Sequence, residues 1–291
     1  MPGAAFGCAC GCGVFDVGTS SMLPADEGGM AFLNYAYQDQ NQNRNGTSDA
    51  PAANNDDKEI RSSFITPGGQ YMCNRSWGVR AELPFVARYF RTRDDAGQVV
   101  SRSWSSLGDI RVEGIYTGFT DDLSSGVTFG LKLPTGSYNR DANVVDRDTQ
   151  IGSGSTDVLL GGFFRHDLVS GTHWQWFSQA SLDVPTLVQG DYRPGLEANA
   201  SAGINYRGWN FGRANLTPMA QVIGSVRGHD SGAAADGDNS GYQRILLAPG
   251  IEFHMHPLKI YADIEIPIYE NVKGNQLVAP ALFKLNVSYM F

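Results

Sequence analysis

Apolar and polar residues alternate along most of the chain, and polar turns or loops separate the alternating stretches. A period of two residues is typical of a β-strand with two chemically different faces. In residues 276–291, Lys284, Asn286 and Ser288 fall on one face, and the other holds Leu277, Ala279, Ala281, Phe283, Leu285, Val287, Tyr289 and Phe291. The pattern predicts twelve strands, at 29–39, 59–73, 77–91, 107–119, 126–135, 156–167, 172–184, 194–206, 209–226, 242–256, 257–269 and 276–291.

The connections between these strands alternate in length. Short connections lie at 74–76, 120–125, 169–171, 207–208 and 256–257, whereas the intervening ones are longer and polar, as at 40–58, 137–155 and 228–241. An even strand number with alternating short turns and long loops is typical of barrels in the bacterial outer membrane. Strand alternation by itself fits a soluble β-sandwich equally well, since a sandwich also has one buried and one wet face.

Aromatic residues decide between these two architectures. The chain ends in KLNVSYMF, where Tyr289 and Phe291 share one face, as in the C-terminal assembly signal of outer-membrane barrels. Other aromatic residues gather at predicted strand ends, where they suit an interfacial girdle: Trp77, Tyr89, Trp174, Trp176, Tyr206 and Trp209. We therefore predict an all-β, transmembrane, antiparallel up-and-down β-barrel of about 12 strands at 29–291, preceded by a cysteine-containing periplasmic tail or plug at 1–28.

Composition narrows the function. The formal net charge of −8 and the absence of a basic patch argue against nucleic-acid binding. No apolar run approaches the roughly 18 residues of a spanning helix. Residues 1–7, MPGAAFG, lack the basic start and apolar core of a signal peptide. With a barrel of the bacterial outer membrane, we expect a signal peptide that has already been removed.

Three glycine-rich blocks carry a family resemblance: LGDIRVEGIYTGF at 107–119, GLKLPTGSYN at 130–139 and IGSGSTDVLLGGF at 151–163. They resemble the outer-membrane transporter family called Putative MetA-pathway of phenol degradation, over the middle and C-terminal two thirds of the chain. The resemblance implies an outer-membrane β-barrel for passive uptake of small compounds, aromatic ones among them. It supplies no site residues, and the N-terminal cysteines are not part of the family pattern.

If the apolar faces meet lipid, the opposite faces line a lumen that carries charges of both signs. The lumen-lining residues predicted in this way are Arg80, Glu82, Arg88, Asp109, Arg111, Glu113, Lys132, Glu197, Arg213, Arg244, Glu252, Lys259, Asp263, Glu265 and Lys284. Twelve strands lie between small filled barrels and wide porins. We therefore predict a porin-like channel for passive transport of small solutes. The same charges can equally brace the interior without forming a specific site.

Cys8, Cys10 and Cys12 stand at alternate positions, and Cys73 ends the second predicted strand beside a periplasmic turn. An even strand number puts the tail on that same side, so all four cysteines are expected near one rim. Free thiols or disulfides suit an oxidising periplasm. A soft metal, Cu or Zn, is the second possibility, and lipidation of Cys8 is the third. The alternative function is thus a plugged barrel whose tail binds a soft metal or docks a periplasmic partner.

Catalytic motifs such as GxSxG, HExxH and CxxCH are absent, so we predict no enzyme activity and no certain cofactor. His254 and His256 share the predicted inward face with Glu252, which suits Zn or Cu, although histidines near turns are more often simply solvated. The expected partners are outer-membrane lipid, the barrel-assembly machinery, a small-molecule solute and the periplasmic partner of the plugged alternative, with no nucleic acid.

Overall fold

The chain runs back and forth as one antiparallel sheet that closes on itself. A computed structural model describes residues 8–9, 23–24, 28–94 and 96–291. Its strands are β1 Cys8–Ala9, β2 Gly28–Gln40, β3 Gln42–Gly46, β4 Ser48–Asp49, β5 Asp57–Met72, β6 Trp77–Glu82, β7 Phe85–Arg93, β8 Val99–Leu107, β9 Ile110–Tyr116, β10 Ser125–Leu133, β11 Ser155–Asp167, β12 Trp174–Val188, β13 Glu197–Tyr206, β14 Trp209–Phe211, β15 Ala214–Arg227, β16 Tyr242–Met255, β17 Leu258–Val278 and β18 Leu282–Met290. Within these described ranges, short 3-10 turns lie at Ala52–Asn54, Arg147–Thr149 and Gly237–Asn239.

These strands build a barrel of twelve spans, which confirms the predicted architecture. The pairs β6–β7 and β8–β9 each form one span, and β14 pairs antiparallel with the start of β15 as a short hairpin, whereas β1, β3 and β4 lie outside the twelve. The barrel closes where β18 pairs with β2, from Leu282 opposite Gln38 to Met290 opposite Met30. Because every wall strand has two neighbours, the sheet has no free edge.

The two faces of the wall have opposite chemistry, with the apolar side chains outside. Leu33, Val79 and Ile268 are 46%, 54% and 61% exposed, whereas Asn286 and Ser288 on the inner face are 2% and 0% exposed. A soluble sandwich buries its apolar face, and a barrel in lipid turns that face outward. The distribution therefore excludes the sandwich. In the described residues, no helix has the length and apolar character needed to cross a membrane.

The barrel has two different ends. The five short connections, Gly28 and Phe291 lie at one, the short-turn end, and the longer connections lie at the other, the long-loop end. Aromatic rings pair around the short-turn end. The ring centroids of Trp77 and Tyr116 are 4.8 Å apart, and those of Trp174 and Tyr206 are 5.0 Å apart. Rings that are apolar on one side and wet on the other suit the edge of a membrane.

The fourth span differs from its prediction. It begins at Val99 rather than near residue 107, and it breaks between β8 and β9. Ser101, Ser103 and Ser105 are exposed along β8, so this part of the span carries no apolar face to reveal it. The break follows Gly108, whose backbone N–H donates to the carbonyl of Pro84 at 2.7 Å. Because proline has no N–H to continue a sheet ladder, the strand is interrupted here, and Asp109 lines the interior of the barrel.

Candidate functional site

The barrel encloses an internal cavity of about 330 Å³. It lies between the inner faces of the wall and the residues of loop 134–154, which joins β10 to β11 and folds inward. Small-molecule sites in proteins are typically about 300–1,000 Å³. The cavity is therefore large enough for one small molecule.

One side of the cavity is a ladder of ion pairs. Arg80 Nε lies 2.8 Å from Glu82 Oε1, and Arg111 Nη2 lies 3.2 Å from Asp183 Oδ2. Lys132 contacts Asp157 and lies 3.7 Å from Asp183. Each cation thus has an anionic partner, so the wall is highly polar without a large excess of one sign.

Another part of the cavity wall is apolar. Ala36, Phe64 and Val86 form a buried cluster from β2, β5 and β7, and Ile151 of loop 134–154 packs against it. A cavity with an apolar patch and a ladder of charges suits a small molecule with a compact apolar body and one polar group.

Two wall residues hold loop 134–154 in the barrel. The Asp109 carboxylate accepts hydrogen bonds from the Gly136 N–H at 2.9 Å and from the Ser153 N–H and hydroxyl at 2.8 Å and 2.5 Å. Arg88 donates to the carbonyls of Thr149 and Gln150 at 2.6 Å and 3.2 Å. Hydrogen bonds to charged groups are the stronger class. Both ends of the loop are therefore fastened to the inner wall.

The middle of the loop crosses the barrel. Val145 is buried in an apolar cluster with wall residues Ile60, Phe90, Trp104 and Leu277. Because Leu277 comes from β17 and the loop starts at β10, the loop reaches the far side of the lumen. It forms the roof of the cavity towards the long-loop end.

A second set of contacts ties this roof to two other loops. The Arg147 guanidinium lies 4.7 Å from the Tyr138 ring centre and 4.5 Å from that of Tyr192. The Tyr192 hydroxyl donates to Asp230 at 2.7 Å, and Arg227 contacts the same carboxylate at 2.6 Å. Cation–π contacts gain strength when they are shielded from water. The long-loop end is thus closed by three interlocked loops.

Burial of this roof perturbs its charges. Burial raises the pKa of Asp146 to about 8, with further contributions from the carboxylates of Asp148, Asp236 and Asp56. Burial likewise lowers the pKa of Arg147 and raises that of Tyr192. Each of these shifts reflects burial that disfavours the charged form of the group.

The predicted lumen-lining residues occupy different places. Eight of them line the cavity: Arg80, Glu82, Asp109, Arg111, Glu113, Lys132, Glu197 and Lys284. Four others are buried away from it: Arg88 under the loop, Arg244 against Tyr242, and Asp263 and Glu265, the latter 2.7 Å from Lys284. Glu252 and Lys259 are half-buried near the short-turn end. Arg213 is exposed in the turn between β14 and β15, so its predicted place in the lumen is wrong.

The cysteines lie farther apart than the sequence indicated. Cys73 is free and exposed at the short-turn end, whereas the Cys8–Ala9 backbone pairs in parallel with Gln276 and Leu277 near the long-loop end. The expected proximity of Cys8 and Cys73 is therefore wrong, because β1 lies at the opposite end of the barrel. Cys10 and Cys12 lie outside the described residues.

The described part of the chain holds no group of three or more His, Cys, Asp or Glu arranged to bind a metal ion. His254 is half-buried, its Nε2 has no hydrogen-bond partner, and His256 is exposed in the following turn. The structure thus does not bring His254, His256 and Glu252 together as a set of ligands.

The roof residues were missed by the sequence analysis. Loop 134–154 is polar and acidic, so it is interpreted as a solvated loop, although its Val144, Val145 and Ile151 are a weak signal of burial. Tyr192 gives no signal of its own, since its burial depends on contacts from two other loops.

Comparison with known proteins supports the fold and extends to a family. The sequence pattern of the family described as Putative MetA-pathway of phenol degradation matches residues 42–207, a stretch that starts and ends earlier than the resemblance read from the motifs. No curated protein sequence matches the chain.

Two solved structures are similar over nearly the whole barrel. The COG4313 outer membrane channel from Pseudomonas putida F1 matches with a TM-score of 0.70 and 12% identity, covering 95% of this chain and 100% of that one. The beta domain of the Bordetella autotransporter BrkA matches with a TM-score of 0.54 and 14% identity, covering 91% and 100%. At these identities the likeness concerns the fold.

Proposed function

Because this chain belongs to the family described as Putative MetA-pathway of phenol degradation and is a β-barrel of the bacterial outer membrane, we propose that it is a passive channel for small solutes. The solutes pass through the cavity beneath loop 134–154. In an outer-membrane barrel the short-turn end is periplasmic and the long-loop end faces outward.

The cavity carries this proposal. Its volume of about 330 Å³ suits a single small molecule. The apolar cluster of Ala36, Phe64 and Val86 suits a ring or short hydrocarbon. The ion pairs elsewhere on the cavity wall provide donors and acceptors for one polar substituent. Small amphipathic compounds, including aromatic ones with a hydroxyl or carboxylate, are therefore the expected solutes.

Filling the cavity tests the proposal. Ala36 is buried in the cavity wall, and Ala31, five residues earlier on the same strand, is exposed on the outer face. Liposome swelling with a small phenol or aromatic carboxylate should be faster for the wild type and for Ala31→Trp than for Ala36→Trp. A heat-modifiable gel shift verifies that each variant is folded. Equal swelling with both variants contradicts passage through this cavity.

A plugged barrel is the second candidate, and two observations favour it. Leu23 is buried with inward-facing Met72, Ile115, Leu123 and Phe163, and Arg165 donates to the Pro24 carbonyl at 2.7 Å. The Cys8–Ala9 backbone lies beside β17 and the Arg147–Thr149 turn. Two pieces of the 1–28 tail thus contact opposite ends of the barrel, which supports a tail that occupies the lumen.

Conductance distinguishes the two candidates. If the tail plugs the barrel, Leu23→Asp and a chain lacking residues 1–27 should both conduct in planar bilayers while the full chain does not. Equal conductance of all three contradicts the plug.

Metal analysis tests the soft-metal role of the tail. It compares the full chain with a variant in which Cys8, Cys10 and Cys12 are replaced by serine, and equal metal contents contradict the role.

A further inference from the structure

We propose that loop 134–154 is a releasable barrier of the channel, and that Asp109 is the latch that holds it closed. This inference rests on the proposed channel function and deepens it, since it names the residue that sets whether the path is open.

The Asp109 carboxylate binds residues at both ends of the loop. Asp109, only 8% exposed, accepts one hydrogen bond from Gly136 and two from Ser153. The two ends also touch each other, because a Cβ on Gly152 would lie 2.3 Å from the Gly136 backbone. Any side chain at Gly152 would force the ends apart. The Asp109 carboxylate thus holds together the two points at which the loop leaves and rejoins the wall.

The docked loop is opposed by its own charges. It half-buries Asp146 beside other carboxylates and half-buries Arg147, and its apolar anchors are Val145 and Ile151. Burying an ionisable group is costly unless it is well paired. The closed state therefore depends on the polar contacts of Asp109 and Arg88 with the loop. An element held in this way can have two accessible arrangements.

The hydrogen bonds of Thr135 fix the start of loop 134–154 to the wall. The Thr135 hydroxyl donates to the Gly108 carbonyl at 2.8 Å and accepts from the Ile110 N–H at 3.0 Å. These bonds tie the start of the loop to the break between β8 and β9, beside Asp109. Residues 136–153 leave the lumen when the Asp109 bonds are lost together with those of Arg88 and the packing of Val145, while Thr135 remains attached.

A reversible disulfide tests the latch. Asp109 and Ser153 have short side chains in contact, a spacing that suits a cysteine pair. In a background with Cys8, Cys10, Cys12 and Cys73 replaced by serine, we would make Asp109→Cys with Ser153→Cys. Oxidation locks the loop shut, whereas dithiothreitol leaves it with neither the disulfide nor the carboxylate. Mass spectrometry verifies the bond.

Two readouts are required. The first is trypsin cleavage after half-buried Arg147, measured against cleavage after exposed Arg140. The second is conductance in planar bilayers. Reduction should raise both the relative Arg147 cleavage and the open fraction at least about tenfold, which corresponds to about 1.4 kcal/mol. Asp141→Ala is the control. It removes the exposed ion pair between Asp141 of the loop and Arg102 of β8, and it should change neither the Arg147 cleavage nor the open fraction.

The outcomes separate the latch from the channel. Equal Arg147 cleavage in the oxidised and reduced forms overturns the latch. Faster cleavage on reduction without any conductance supports the latch and contradicts the channel function. An increase in both supports the two proposals together.

Discussion

Phe291, the last residue, exchanges both backbone hydrogen bonds with Gly29, at 2.8 Å and 2.9 Å. Its ring also covers Gly29, because a Cβ there would lie 2.3 Å from the Phe291 Cε2. The end of the chain is thus built into the seam where the barrel closes. The predicted assembly signal, Tyr289 and Phe291, lies at this seam with both rings exposed.

We expect Gly29→Ala to weaken the seam. The new methyl group displaces the Phe291 ring, which should cost about 1 kcal/mol, at the low end for overpacking because an exposed ring can turn aside. Gly69→Ala is the matched control, since Gly69 lies on the neighbouring strand and its Cβ would meet nothing closer than 3.7 Å. Urea unfolding of the barrel in lipid measures both. Similar losses of unfolding free energy in the two variants contradict the role of the ring contact.

The ion pair between Lys284 and Glu265 should matter more for stability than exposed pairs. Glu265 is fully buried, and Lys284 Nζ lies 2.7 Å from its carboxylate. Lys284→Met leaves a buried charge, so we expect a loss of about 3–5 kcal/mol in unfolding free energy. Adding Glu265→Gln should restore much of it. Arg207→Ala, which breaks the half-exposed pair with Asp167, should cost only about 0.2–1 kcal/mol.

Docking of loop 134–154 should depend on pH through Asp146. Its pKa rises from an ordinary 3.8 to about 8 in the docked loop. The docked form therefore holds a proton that a released loop gives up, and docking weakens as the pH rises from about 4 to about 8. Asp148, Asp236, Asp56 and Asp57 face the same group.

Trypsin cleavage after Arg147 measures this dependence, normalised to cleavage after Arg140. Cleavage should increase with pH over that range in the wild type and be nearly flat in Asp146→Asn. Asp122 lies in a turn at the other end, where hydrogen bonds from Ser124 lower its pKa, so Asp122→Asn should retain the wild-type profile. An unchanged profile in Asp146→Asn assigns the dependence to another group.

The contact between Tyr192 and Asp230 should hold the outer loops together. Tyr192→Phe removes the hydroxyl that donates to one carboxylate oxygen of Asp230, a residue that is only 1% exposed. Such a loss typically costs about 1–3 kcal/mol. Hydrogen exchange in residues 189–196 and 228–241 should become faster. Tyr138→Phe retains the ring against Arg147 and should leave the exchange unchanged.

The twelve spans could be predicted from the sequence because each wall residue faces either lipid or the lumen. This alternation gives apolar and polar side chains a period of two residues. Where the outward face of a strand is polar, as in β8 with its exposed serines, the period disappears and the prediction fails. Asp109 and Arg88 were found because they stand at inward positions of the alternating pattern.

The roof of the cavity follows a different rule. Wall residues bury Val145, and contacts between loops bury Tyr192 and half-bury Arg147. These contacts join parts that are far apart in the chain, and the composition of one loop does not indicate which part will cover it. Cys8 illustrates the same limit. Chain direction places the start of β2 at the short-turn end, but only the pairing of β1 with β17 moves Cys8 to the other end.

The seam between β2 and β18 joins parts of the chain that are far apart in sequence, such as Asn34 and Asn286, whose side chains are hydrogen-bonded across 252 positions. Every other hydrogen-bonded pairing between wall spans links consecutive spans. Loop-closure entropy opposes distant contacts most strongly. Barrel folding therefore has an intrinsic order: eleven local hairpin steps can precede one global step. Until that last step the nascent protein exposes two unpaired strand edges, so its need for protection during biogenesis is concentrated at its two ends.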